Sequence, residues 1–150
     1  MRDAVAAAGV HDVVAGAAGD RVVAAAVGVD DVIWGMRFAD RESSAPDGLD
    51  GGPGNDTVYG GRGGTNTIAG GPGDDMLQGG ERDNVIDGGA GDDTIRLRGT
   101  GANRVSAGPG NDVVHAVGTT RDTISCGSGR DAVFARRNDR VARDCERVVR

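Results

Sequence analysis

Residues 70–96, cut every nine positions, read GGPGDDMLQ (70–78), GGERDNVID (79–87) and GGAGDDTIR (88–96). Each unit opens on Gly-Gly, carries Asp or Asn at its sixth position, and places an aliphatic residue two positions later. The frame extends both ways: GGPGNDTVY (51–59) and GGRGGTNTIA (60–69) precede it. LRGTGANRVS (97–106), AGPGNDVVH (107–115), AVGTTRDTIS (116–125) and CGSGRDAVF (126–134) follow. The aliphatic column is Val58, Ile68, Leu77, Ile86, Ile95, Val105, Val114, Ile124 and Val133, with Leu49 in register before it. A tandem period this short is the mark of a solenoid, in which one unit buries nothing alone and stacked units bury a continuous ladder. The Gly-rich half of each unit predicts a turn with positive φ. The last three residues, such as Thr57-Val58-Tyr59, predict a short strand with its centre inward.

Composition agrees with thin layers. The 150 residues include 28 Gly, one Trp, one Tyr and two Phe, and no Lys. Bulky side chains are too few for an ordinary globular core. A Walker-type phosphate loop lacks its Lys, the glycines do not recur at every third position as in collagen, and no apolar run is long enough to span a membrane. Charge is uneven: residues 1–39 carry net −2, residues 40–93 net −9 and residues 94–150 net +5. A block of −9 resists compaction until something neutralises it, and a cation is the obvious counter-charge for short Asp side chains. The basic final third has no Lys, aromatic interleaving or basic helix, so no nucleic-acid partner is expected.

The unit GGxGxDxUx resembles the nonapeptide of RTX, or haemolysin-type, calcium-binding proteins. The best copies are 51–59, 70–78, 88–96 and 107–115. The resemblance implies an all-β fold, a right-handed parallel β-roll of two sheets with Ca²⁺ between stacked turns, each coil consuming two units. Units then alternate between two edges. One edge collects Asp56, Asp75, Asp93, Asp112 and Asp131; the other collects Asn66, Asn84, Asn103 and Asp122. Asn brings no formal charge to a hard cation, so calcium is expected along the Asp edge, in four sites, and an Asn hydrogen-bond ladder along the other. In the family a turn gives the carbonyls of positions two and four plus its Asp, and the next turn those of positions one and three plus its Asp. Carried over, the first site is Gly52, Gly54, Asp56, Gly70, Pro72 and Asp75, and the second is Gly71, Gly73, Asp75, Gly88, Ala90 and Asp93. The third is Gly89, Gly91, Asp93, Ala107, Pro109 and Asp112; the fourth is Gly108, Gly110, Asp112, Cys126, Ser128 and Asp131. Ala107 and Cys126 depart from Gly at position one. The alternative reading of these Asp residues is turn stabilisation alone.

In a two-unit coil Cys126 and Cys145, 19 residues apart, lie one above the other. A disulfide is expected there, with two free thiols as the alternative, and it would clamp residues 135–150 as an Arg-rich cap. The ending resembles a C-terminal segment of secreted actinobacterial calcium-binding proteins. Val5, Val14, Val23 and Val32 recur at nine, with Asp3, Asp12 and Asp30 two residues before three of them. Residues 1–34 therefore read as degenerate coils without metal, against an Ala-rich helix. Residues 35–46 read as an inserted loop and 47–134 as the calcium-binding roll.

No catalytic set is found, and no enzyme is expected. His11 and His115 fall at outward positions without a partner motif, and Ser43 and Ser44 lack a nucleophile elbow. The functional expectation is a secreted, monomeric calcium-binding module, extracellular or at the cell surface, that folds on binding the ion. The alternative is an accessory region of a larger enzyme or adhesin; glycan or ice binding on a strand face is disfavoured by a broken Thr column. Asp12 and Asp20 interrupt any apolar leader. The chain thus reads as a fragment, a misplaced start, or a protein exported by another route.

Overall fold

The computed structural model describes residues 3–6, 12–14, 21–24, 30–35, 48–118 and 120–150, with side chains from residue 30 onward. The described residues contain strands and turns and no helix, so none is long and apolar enough to cross a membrane. One sheet stacks β1 (Asp3–Ala6), β3 (Arg21–Ala24), β5 (Gly48–Asp50), β7 (Asn66–Pro72), β9 (Asn84–Ala90), β11 (Arg104–Pro109), β13 (Thr123–Ser128) and β15 (Arg140–Val141). The other stacks β2 (Asp12–Val14), β4 (Val32–Trp34), β6 (Thr57–Tyr59), β8 (Met76–Gln78), β10 (Thr94–Leu97), β12 (Val113–Ala116), β14 (Ala132–Phe134) and β16 (Arg147–Val149). Consecutive strands alternate between sheets, and neighbours within a sheet run parallel. This is the parallel β-roll expected from the repeat.

Three inward rows fill the space between the sheets, because side chains alternate along a strand. The middle row is the aliphatic column, Leu49 through Val133, each residue at most 2% exposed. A second row, two residues further on, was not singled out from the sequence. It comprises the first positions of the following units, filled by glycines and then by Leu97, Ala107, Ala116, Cys126 and Ala135, which are buried as well. The third row, two residues before the aliphatics, is the Asp/Asn row, buried throughout from Asp56 to Asp131. A core one aliphatic side chain thick explains why so few large residues suffice.

The N-terminal register differs by one residue from the nine-residue Val series. Backbone pairing aligns Ala4 with Val22 and Val22 with Leu49, and aligns Val13 with Ile33 and Ile33 with Val58. Ile33 is buried and Val32 only half-buried. Adjacent aliphatics (Val13-Val14, Val22-Val23, Val32-Ile33) satisfy the spacing in either register, and a one-residue slip exchanges the faces of a strand. Pairing with the downstream ladder selects the other member of each pair. The acid in register is likewise Asp31, which is buried, in place of Asp30, which is exposed. The expected loop at 35–46 lies, from residue 36 onward, outside the described residues.

At the C-terminal end Cys126 and Cys145 form a disulfide, their Cα atoms 5.2 Å apart. It ties the last coil to the roll beside the paired strands β13–β15 and β14–β16. Val141 packs partly against the core, whereas Val148 remains 39% exposed on the end coil.

Candidate metal centre

The turns of the Asp edge stack in register, Gly71 on Gly89, Pro72 on Ala90, Gly108 on Gly127 and Pro109 on Ser128. Positions two and four of each turn take positive φ: Gly52 (87°), Gly54 (139°), Gly71 (117°), Gly73 (141°), Gly89 (112°), Gly91 (131°), Gly108 (116°) and Gly110 (149°). That left-handed pair is open to Gly at little cost. Close stacking demands Gly as well, since a Cβ on Gly73 would strike the Gly54 carbonyl. Position-four amides donate upward to position-three carbonyls, Gly54 to Pro72 at 3.0 Å, Gly73 to Ala90 at 2.8 Å, Gly91 to Pro109 at 2.9 Å and Gly110 to Ser128 at 2.9 Å. Each of these carbonyls keeps a second lone pair. The turns that carry the residues taken over from the repeat thus stack coil on coil.

The five Asp side chains share one arrangement. Oδ1 of each accepts the N–H of the Asp one coil below: Asp75 from Asp56 (2.7 Å), Asp93 from Asp75 (2.9 Å), Asp112 from Asp93 (2.8 Å) and Asp131 from Asp112 (2.8 Å). Oδ2 of Asp56, Asp75, Asp93, Asp112 and Asp131 is buried without a hydrogen-bond partner. Around these atoms lie further oxygens. Asp56 Oδ2 and the Gly70 carbonyl converge in front of Gly51, Asp75 Oδ2 and the Gly88 carbonyl in front of Gly70, and Asp93 Oδ2 and the Ala107 carbonyl in front of Gly88. Orphaned buried oxygens are costly. Burial pushes Asp56 and Asp112 up to about 6 and Asp93 up to about 7, against the pull of the backbone N–H bond each accepts. Asp75 moves the same way for the same reason.

The other edge shows what an amide does in the same place. Oδ1 again takes the N–H from below, Asn103 from Asn84 (3.1 Å) and Asp122 from Asn103 (2.9 Å). In the three Asn the second side-chain atom is now a donor, and it is satisfied, whereas Oδ2 of Asp122 and Oδ1 of Asn66 are buried without a partner. Asn66 Nδ2 donates to Gly61 O (3.0 Å) and Asn84 Oδ1 (3.0 Å). Asn84 Nδ2 reaches Arg82 O (2.6 Å) and Asn103 Oδ1 (2.7 Å). Asn103 Nδ2 reaches Gly101 O (3.1 Å) and Asp122 Oδ1 (2.9 Å). This is the ladder expected from the Asn column.

Three further residues join these columns, of which sequence reasoning missed Asp31 and Glu146. Asp31 extends the Asp edge one coil back, donating its N–H to Asp56 Oδ1 at 2.8 Å. Asp139 extends the Asn edge, accepting from Asp122 N at 3.0 Å. Glu146 takes the place of the next Asp above Asp131, accepting its N–H at 2.9 Å. The missing signal was the frame: Asp31 needs the one-residue shift, and the last turn passes directly from Cys145 to Glu146. Asp30 joins an exposed outer row instead, taking the Asn55 N–H at 2.9 Å. His115 stacks on Phe134, ring centroids 4.8 Å apart, in keeping with its outward position.

Among the described residues the one cluster of three or more His, Cys, Asp and Glu at metal-ligand distance is Cys126, Asp144 and Cys145, and both its sulfurs are spent in the disulfide. The Asp-edge cages are of another kind, rich in carbonyls with few carboxylates each. That oxygen-only donor set suits a hard cation taking six to eight oxygens.

No curated protein and no solved structure matches the chain. Residues 46–68, 69–97 and 99–116 match the RTX calcium-binding nonapeptide repeat, in four copies, which supports an RTX-type calcium-binding array in this part of the β-roll.

Proposed function

We propose that the protein is a secreted module whose roll folds on binding four calcium ions along the Asp edge. The ligand sets are the four carried over above, from Gly52 and Asp56 at the first site to Ser128 and Asp131 at the last. The observation that carries this reading is the row of buried Asp Oδ2 atoms facing other oxygens with no donor in reach. At Asn66, Asn84 and Asn103 the amide nitrogen supplies the positive partner; on the Asp edge only a cation does. Without it the carboxylates repel and the cage oxygens stay unpaired, so binding free energy becomes folding free energy. Residues 1–34 then serve as metal-free coils and 135–150 as the cap. An extracellular setting supplies both millimolar calcium and an oxidising milieu for the disulfide. Circular dichroism and ion counting on calcium-stripped and calcium-loaded protein test this. The expected result is a chelator-reversible gain of β structure with four bound ions. Unchanged spectra on chelation, or seven to eight ions, would overturn it.

A further inference from the structure

We propose that the residue at position one of each lower turn sets how tightly the cation above it is held, and that Ala107 makes the fourth site the weakest. This rests on the calcium reading of the Asp edge. The lower turns of the four sites begin with Gly51, Gly70, Gly88 and Ala107. A Cβ on Gly51 would stand 2.5 Å from both Asp56 Oδ2 and the Gly70 carbonyl. The same pair of atoms, the lower Asp Oδ2 and the upper position-one carbonyl, would crowd a Cβ on Gly70 and on Gly88 still more. Both atoms belong to the ligand set of the site. The missing side chain of that glycine is therefore what lets two donors converge.

Ala107 carries a methyl in this place and is fully buried. Approaches under 3.0 Å are ones that Cβ atoms essentially never make. Asp112 Oδ2 and the Cys126 carbonyl therefore cannot approach position one at the fourth site as closely as their counterparts do below. The rest of the fourth site keeps the geometry of the third: Gly108 and Gly110 have φ of 116° and 149°, against 112° and 131° at Gly89 and Gly91. Cys126 places its own side chain at the next position one, in the disulfide, and so closes the column above Asp131. One charge also distinguishes the fourth site. Arg130 stands at position five of its upper turn, where the turns below carry Asn55, Asp74, Asp92 and Asn111. Its exposed guanidinium acts in the same direction but is screened by salt, whereas a methyl is not.

The test is a calorimetric titration of the calcium-stripped full chain with CaCl₂, at low and high ionic strength. The titration is repeated on Ala107→Gly, Gly88→Ala and Arg130→Asn. The wild-type protein should bind three ions and then a fourth at least about tenfold more weakly, as an added methyl in a close-packed site implies. Ala107→Gly should bring the fourth ion level with the others at high ionic strength and most of the way at low ionic strength, where Arg130 still acts. Gly88→Ala should move one more ion into the weak class. Four ions of equal affinity in the wild type, an Ala107→Gly isotherm that superposes on it, or correction by Arg130→Asn alone would overturn the proposal while leaving the calcium column standing. Absence of bound calcium in every protein would overturn the column itself, and the proposal with it.

Discussion

At the scale of single residues, the exchange of Asp for Asn two residues before the aliphatic divides the roll's two edges, Asp122 excepted. Asn84 shows the value of the amide: its Nδ2 contacts Arg82 O, Gly80 O and Asn103 Oδ1. Asn84→Asp would turn that donor into an acceptor facing acceptors. A loss of about 2–3 kcal/mol is expected, the cost of orphaning buried polar groups, read as a lower midpoint in denaturant. Calcium should not restore it if the ion keeps to the Asp edge. The Asp row makes a pH prediction with an unusual sign. Folded-state values near 6–7 at Asp56, Asp93 and Asp112 lie above the ordinary 3.8. Their contribution to stability is therefore full below about pH 4 and is lost as pH rises through about 6–7. Thermal melts of calcium-stripped protein should show the midpoint falling over that window, with calcium abolishing the fall. A midpoint that rises instead would contradict the burial assigned to these carboxylates. The Asp/Asn alternation was legible because a period of nine or ten residues makes each position visible many times over. The choice of Ile33 over Val32 was not, since adjacent aliphatics leave the frame open until strand pairing decides it.

At the scale of the element, the unit is a turn whose shape is imposed by its neighbour. Gly73 sits at φ 141°, and a Cβ there would meet the Gly54 carbonyl of the turn below. Gly73→Ala should cost about 1–3 kcal/mol from backbone strain alone, and more because the turns cannot part without breaking the Gly54–Pro72 bond. Its calcium-dependent melting midpoint should fall well below that of Ala69→Ser, a half-exposed strand change. The strands themselves were predictable from their aliphatic centres. Their extension was not. β7 and β9 run for seven residues, through Pro72 and Ala90, because stacked turns continue the pairing past the aliphatic position. That continuation is a property of two coils together and is written in neither unit alone. The small residues of the second inward row escaped notice for a related reason: Gly, Ala and Cys carry weak hydrophobic signals, and only the narrow gap between sheets makes them core.

At the scale of the whole molecule, stability is a sum over neighbouring coils, and the two ends are unequal. The C-terminal end is clamped by Cys126–Cys145. Opening that bridge, by reduction or by Cys126→Ser with Cys145→Ser, should cost roughly 3 kcal/mol for a loop of this size, visible as a lower melting midpoint in the calcium-loaded state. Towards the other end, one strand in from β2, the stacked pair Trp34–Tyr59, ring centroids 4.0 Å apart, joins β4 to β6. With its one disulfide at the C-terminal end, the roll has a polarity of unzipping. Its only tryptophan lies on β4, five strands from β14 and far from that staple, so as chelator is added Trp34 emission should change before circular dichroism does. The molecule thereby reports, from its own fluorescence, which end of the zipper lets go first.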